Sequence, residues 1–204
     1  HYDSALEVGI RLIALCQAFQ FFRRAAAFEG PALETLLRQV ALQAAWLEGH
    51  LSDERLVAGN HLLGELAGLI VVDLTFPELA AAEAGANAGQ RRLDYALPLF
   101  TREFARQTFP DGVSREQSTT YGRFVGDFAV AVLATARAAG RALPDGLAAR
   151  GGALAHWLAA AAQPDGTLPL VGDNDNGRGA DWGEPGPPAD ARGVARTLAV
   201  LADD

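Results

Sequence analysis

Lysine and methionine are missing from the 204 residues, and cysteine occurs once, as Cys16. A single cysteine excludes an internal disulfide and any Cys-rich zinc site. Without lysine, the positive charge is seventeen arginines against 25 acids, a formal charge of −8 with no basic run. That balance argues against a duplex nucleic-acid partner held through its phosphates. No uninterrupted apolar run reaches the ~20 residues of a membrane span. The longest candidate, around Leu62 to Leu74, carries Glu65 and Asp73. Ile and Val together number only 15, against 41 Ala and 28 Leu, a balance that favours helix over strand. Half of the residues are apolar, too many for a disordered chain. Length alone allows one large domain or at most two small ones, with ~70% of the unfolded surface buried on folding. With no Met and a leading His1 that runs straight into a helix signal, the chain reads as a piece of a longer polypeptide, so a missing signal peptide says nothing about compartment.

Caps and periodicity predict a series of helices. Ser4-Ala5-Leu6-Glu7 is a capping-box pattern, followed by Val8, Leu12, Leu15, Phe19 and Phe22 at helical spacing. Gly30-Pro31 opens a second segment that runs to Gly49. A third is expected from about Asn60 to Leu74, a fourth from about Ala86 to Gln107, a fifth from about Ser118 to Ala139 and a sixth from about Pro144 to Ala162. Residues 163–190 form a long Gly/Pro/Asp/Asn-rich loop, and a short seventh helix follows from about Ala191 to Leu201. Short connections make neighbours antiparallel, and the rhythm of hairpins predicts an all-α fold, a ring or toroid. In an up-and-down series the starts of the third, fifth and seventh helices share one rim with the ends of the second, fourth and sixth. This parity holds only if residues 77–84 are a connector rather than a full helix.

Three polar clusters fall on that rim: Asn60-His61, Glu116-Gln117 through Tyr121, and Asp173 to Arg178. Blandly, Asn60 is an N-cap and His61 a surface residue. The same pair also offers an amide and an imidazole at a helix N-terminus, where anions are favoured. Tyr121 reads blandly as a half-buried aromatic; its phenol, with a pKa near 10, moves protons only if neighbours stabilise the phenolate. Gln117, four residues earlier, shares its helix face. The Asp173 loop has acids at the first and third positions of a calcium-loop pattern, but Arg178 stands where glycine is required. A turn network with Arg178 paired to a rim carboxylate fits better. His50 and His156 read as structural, and Trp46 and Trp157 as core. Trp182, in the Gly/Pro loop, is placed to stack on a sugar. No Ser-His-Asp order, phosphate-cradling glycine loop or dinucleotide fingerprint occurs.

Taken together, these stretches resemble the helical domain of the heparinase II/III-like and alginate-lyase-like polysaccharide lyases. The resemblance rests on Ser4 to Arg11, Asn60-His61-Leu62 to Leu69, Phe76-Pro77-Glu78-Leu79, Pro110-Asp111-Gly112 to Ser118 with Tyr121, and Pro164-Asp165-Gly166 to Leu170 with Gly172 to Asp175. It implies an incomplete (α/α) toroid over residues 1–204, followed in the family by a β-sandwich domain that this chain lacks. That second domain supplies a further catalytic His and often a structural zinc, so no cofactor is expected in this chain. The implied reaction is β-elimination on an acidic polysaccharide or oligosaccharide. Asn60 and Gln117 would hold the uronate carboxylate, while His61 and Tyr121 would share the base and acid roles. Arg123 would add positive potential, and Glu116, Asp173, Asn174, Arg178 and Trp182 would line the substrate. One departure stands out: the family often has a His directly after the Tyr, where this chain has Gly122. The resemblance also implies a periplasmic or secreted protein. The alternatives are a glycoside hydrolase on a similar toroid, pairing Asp111 or Glu116 with Asp173, or a glycan-binding helical module without chemistry.

Overall fold

The computed structural model describes residues 4–52, 59–79, 88–174, 176–180, 187 and 189–203. Among them seven α-helices follow in order: α1 (Ala5–Phe22), α2 (Pro31–Glu48), α3 (Asn60–Thr75), α4 (Ala88–Gln107), α5 (Thr119–Ala138), α6 (Leu147–Ala161) and α7 (Arg192–Ala202). No strand occurs among the described residues, only two isolated bridges, Thr108 with Ser114 and Thr167 with Asp190.

The local signals act where the sequence places them. The Ser4 side chain accepts from the Glu7 N–H to open α1, and the Ser118 side chain accepts from Tyr121 N–H to open α5. Pro31 takes the first turn of α2, where its missing N–H costs nothing. Two boundaries differ. The α6 helix begins at Leu147 rather than near Pro144, because Gly146 turns the chain through φ +84° first. Gly59, not Asn60, occupies the cap position of α3, which leaves the Asn60 side chain free to bond elsewhere. Residues 77–79 are already helical; the remainder of the 77–84 connector and the expected start at Ala86 lie outside the described residues.

The helices form two layers. Odd-numbered helices contact one another, α1 with α3, α3 with α5 and α5 with α7. Even-numbered helices pack on them: α2 on α1 and α3, α4 on α3, and α6 on α5 and α7, with α4 also touching α6. This is the hairpin-by-hairpin arrangement of an incomplete toroid. Its centre is α3, where every residue from Leu62 to Asp73 is buried. The two charges in that stretch are satisfied internally. Glu65 accepts from Ser52 N–H and Ser52 Oγ, both at 2.7 Å, which ties the connection after α2 to α3. Asp73 accepts from Arg92 Nε at 2.7 Å and from Arg92 Nη2, and Arg92 also reaches Glu48 at 3.1 Å. So an apolar run with two acids is a core helix.

Helices α1 and α3 meet glycine on glycine. A Cβ added to Gly9 of α1 would lie 2.5 Å from the Gly64 carbonyl oxygen, and one added to Gly68 would lie 2.7 Å from the Gly9 Cα. The two backbones therefore touch with no side chain between them. By length and composition α1 is also long and apolar enough to cross a membrane, with a mean hydropathy of 1.4 over its 18 residues. This is a better candidate than the Leu62 to Leu74 stretch singled out by sequence. In the fold its Leu6, Val8, Leu12, Ile13 and Cys16 belong to the core. Burial pushes the Cys16 thiol up to about 12, so it stays protonated and unreactive.

Candidate functional site

One rim gathers the starts of α3 and α5. The expected parity is visible at Gly59, whose carbonyl accepts from Gln107 Nε2 at 2.9 Å, so the end of α4 meets the start of α3. The segment between α4 and α5 then crosses to the same point. Thr108 bridges Ser114, and Asp111 Oδ1 accepts from Val113 N–H at 3.2 Å, which makes the turn at Asp111-Gly112. Beyond the turn, Glu116 meets Asn60 directly. Glu116 Oε1 accepts from the Asn60 backbone N–H at 2.8 Å, and Asn60 Nδ2 donates to Oε2 at 3.0 Å and Oε1 at 3.3 Å.

The other expected residues lie around this contact. His61 is exposed on the first turn of α3. Gln117 is exposed and adopts φ +56°, the only non-glycine with positive φ among the described residues. Holding a Gln there costs on the order of 1 kcal/mol, which the surrounding bonds must supply. Tyr121 is half-buried and packs against the edge of the core from the first turn of α5. The phenol is thus neither lost in the interior nor fully in solvent.

The loop after α6 is strapped across the start of α5 by hydroxyl groups. Thr119 Oγ1 donates to the Pro169 carbonyl at 2.6 Å, Ser118 Oγ donates to the Asp173 carbonyl at 2.7 Å and Thr120 Oγ1 to the same carbonyl at 3.0 Å. Gly172, at φ +71°, comes so close to the Gln117 carbonyl that any side chain there would collide with it. This strap sets Asp173 and Asn174 exposed beside Gln117. A turn network is therefore what the Asp173 loop forms, and the hydroxyl triplet that anchors it was not singled out by sequence.

Arg123 differs from expectation. It is 2% exposed, pairs with Asp127 at 3.0 Å and donates to the Gly177 carbonyl. It supports the loop from below rather than facing a substrate as an open cation. Asp127 Oδ2 also accepts from Gly179 N–H at 2.9 Å. Burial, opposed in part by Arg123, pushes the Asp127 carboxyl up to about 6. Arg178 Nη2 donates to the Pro187 carbonyl at 2.7 Å, a partner other than the rim carboxylate expected. Trp182 lies outside the described residues, as does Asp175.

Other expectations resolve simply. His50 stacks on Trp46 at 4.0 Å between centroids, His156 is exposed on α6, and Trp46 and Trp157 sit half-buried against the core. The Trp157 ring fills the space beside Gly122, where a Cβ would lie 2.7 Å from it. No group of three or more His, Cys, Asp and Glu side chains suited to a metal occurs among the described residues. Of the carboxylates suggested for a hydrolase, Glu116 is bonded to Asn60, Asp111 is exposed and closes its own turn, and Asp173 is exposed.

The fold is that of an incomplete helical toroid, and comparisons with known proteins agree with it. The model of the family described as heparinase II/III N-terminus matches residues 4–182. The chain belongs to that family. Among solved structures it is similar to heparinase III, with a TM-score of 0.61 and 22% identity over 79% of this chain. At that identity the likeness is one of fold. The matched region is 23% of the heparinase III chain, so this chain spans about a quarter of that protein. No curated protein matches it.

Proposed function

We propose that the chain is the toroid part of a polysaccharide lyase that cleaves a uronic-acid-containing glycan by β-elimination. The single observation that carries this reading, beyond family membership, is the bonding of Asn60 to Glu116. That contact joins the start of α3, which carries Asn60 and His61, to the segment that leads into α5.

The chemical difficulty is the weak acidity of the C5–H beside the uronate carboxylate. Removing that proton builds a second negative charge on the carboxylate, and donors aimed at it lower the barrier. Asn60, with Gln117, takes this role. His61 and Tyr121 share proton removal and protonation of the leaving O4, the order following the sugar's stereochemistry. The C5–H bond breaks, a C4–C5 double bond forms, and the C4–O4 bond breaks with its oxygen protonated. Asp173 and Asn174 line the approach from the strap. The net charge of −8 does not oppose an anionic substrate, because local donors set the field inside a cleft. A β domain elsewhere in the polypeptide, with a further His and any zinc, completes the site, and a periplasmic or secreted location suits polymeric uronates.

The test is to incubate the intact gene product with alginate, heparan sulfate and other uronates and to follow the ultraviolet absorbance of the unsaturated sugar. The expected result is absorbance growing with cleavage, and its loss in Tyr121→Phe with the fold intact. Reducing ends without absorbance point to hydrolysis, and binding without either product to a glycan-binding module. Full turnover by Tyr121→Phe removes the phenol from the mechanism.

A further inference from the structure

Glu116 is the wrong charge to hold an acidic glycan, yet it sits in the middle of the candidate site. Its carboxylate is already occupied: it accepts from the Asn60 backbone N–H at 2.8 Å and from Asn60 Nδ2 at 3.0 and 3.3 Å. Two consequences follow from chemistry alone. An ionised carboxylate only accepts hydrogen bonds, so it selects the nitrogen edge of the Asn60 amide and settles which way that amide is turned. One Nδ2 hydrogen is then taken by Glu116, and the second remains for a ligand oxygen. The negative charge also lies at the N-terminus of α3, where the free amides and the helix dipole offset it, so no cation is needed beside it.

We infer that Glu116 is a positioning residue for Asn60. It holds the amide in one rotamer and one flip state, with an N–H presented to a sugar carboxylate. The neighbouring geometry serves the same end. Gln107 fixes the Gly59 carbonyl at 2.9 Å, and Gly59 leaves room for the carboxylate, since a Cβ there would lie 3.3 Å from Glu116 Oε1. The inference rests on the lyase reading for what Asn60 then binds, but the Glu116–Asn60 coupling stands on its own geometry.

Glu116→Gln separates positioning from mere capping. The glutamine oxygen still accepts from the Asn60 backbone N–H, so the α3 cap survives. Its NH2, however, opposes Asn60 Nδ2, two donors face each other, and the Asn60 amide turns over to present its oxygen to the substrate carboxylate. In the intact gene product, kcat with the best uronate is expected to fall about 10- to 100-fold. KM should change less than about 3-fold and Tm by less than about 2 °C. Asn60→Ala should lose about 100- to 1,000-fold, and adding Glu116→Gln to it should cost under about 3-fold more, because the effect runs through Asn60. Retention of kcat within about 3-fold by Glu116→Gln, or losses that multiply in the double variant, overturns the inference. If no uronate yields an unsaturated product, the lyase reading falls first, and the coupling is then read by NMR. The Asn60 side-chain amide should give one slowly exchanging proton pair in the parent and an altered, faster-exchanging pair in Glu116→Gln. An Asn60 amide indifferent to Glu116→Gln overturns the positioning role whatever the substrate.

Discussion

Two junctions hold this half-ring together, and they are built from opposite materials. Where α1 crosses α3, the contact is dry and made of backbone: Gly9 against Gly64 and Gly68, with the Leu6 and Phe128 side chains closing on Gly64. Where the strap crosses α5, polar bonds dominate, with three hydroxyls on loop carbonyls and a buried Arg123–Asp127 pair under Gly177 and Gly179, while Gly179 rests on the Phe128 ring. The first junction tolerates no added volume, because backbone cannot move aside. The second depends above all on its partners, because a buried charge left alone keeps its full desolvation cost. The candidate site sits at the second kind of junction, where side-chain bonds to loop carbonyls hold the strap in a specific shape.

The largest expected effect tests the polar junction. Arg123→Met removes the partner of a fully buried carboxylate and should destabilise by about 3–5 kcal/mol near neutral pH. Chemical denaturation measures it, and a loss below about 1 kcal/mol would show that the pair does not hold the strap. The effect should shrink in acid, because a protonated Asp127 no longer needs a cation.

That acid dependence is a prediction in itself. The folded-state pKa of Asp127 is raised to about 6 from an ordinary 3.8, chiefly by burial, so the native state holds this proton more tightly than the unfolded chain. The group's contribution to stability is then fully present below about pH 4 and is lost as pH rises through about 6. The full swing is on the order of 3 kcal/mol. Comparing the parent with Asp127→Asn isolates the group: their difference should shift in favour of the asparagine between pH 4 and 6 and then level off. A difference that is flat across that window removes the argument.

The two junctions were not equally legible in the sequence. Helix α1 announced itself through Ser4, Glu7 and apolar residues at helical spacing, and α3 through an apolar stretch broken only by Glu65 and Asp73, since burial and periodicity are recorded residue by residue. The rim clusters at Asn60, Glu116 and Asp173 were also legible, because helix parity brings alternate connections to one end. Partnership was not. Arg123 looks in sequence like any other arginine with an acid four residues away, and nothing local says that both are buried under a loop fifty residues further on. Ser118-Thr119-Thr120 read as a helix start, and its second task, holding the Pro169 and Asp173 carbonyls, depends on a loop placed by α6. Asn60 read as a cap for the same reason: whether an amide serves its own helix or a distant carboxylate is a matter of tertiary approach.

Identical substitutions at two glycines sharpen the comparison further. Gly9→Ala puts a methyl 2.5 Å from the Gly64 carbonyl oxygen, and separating two packed helices should cost about 1–3 kcal/mol, more than the gain of about 1 kcal/mol that alanine brings to a helix interior. Gly122→Ala, also inside a helix, puts its methyl 2.7 Å from the Trp157 ring, but that ring belongs to a half-buried side chain with room to rotate. Here the propensity gain of about 1 kcal/mol offsets the adjustment, and stability should stay within about 0.5 kcal/mol of the parent. The readouts are denaturation for both and Trp fluorescence for the second, which should shift as the indole moves.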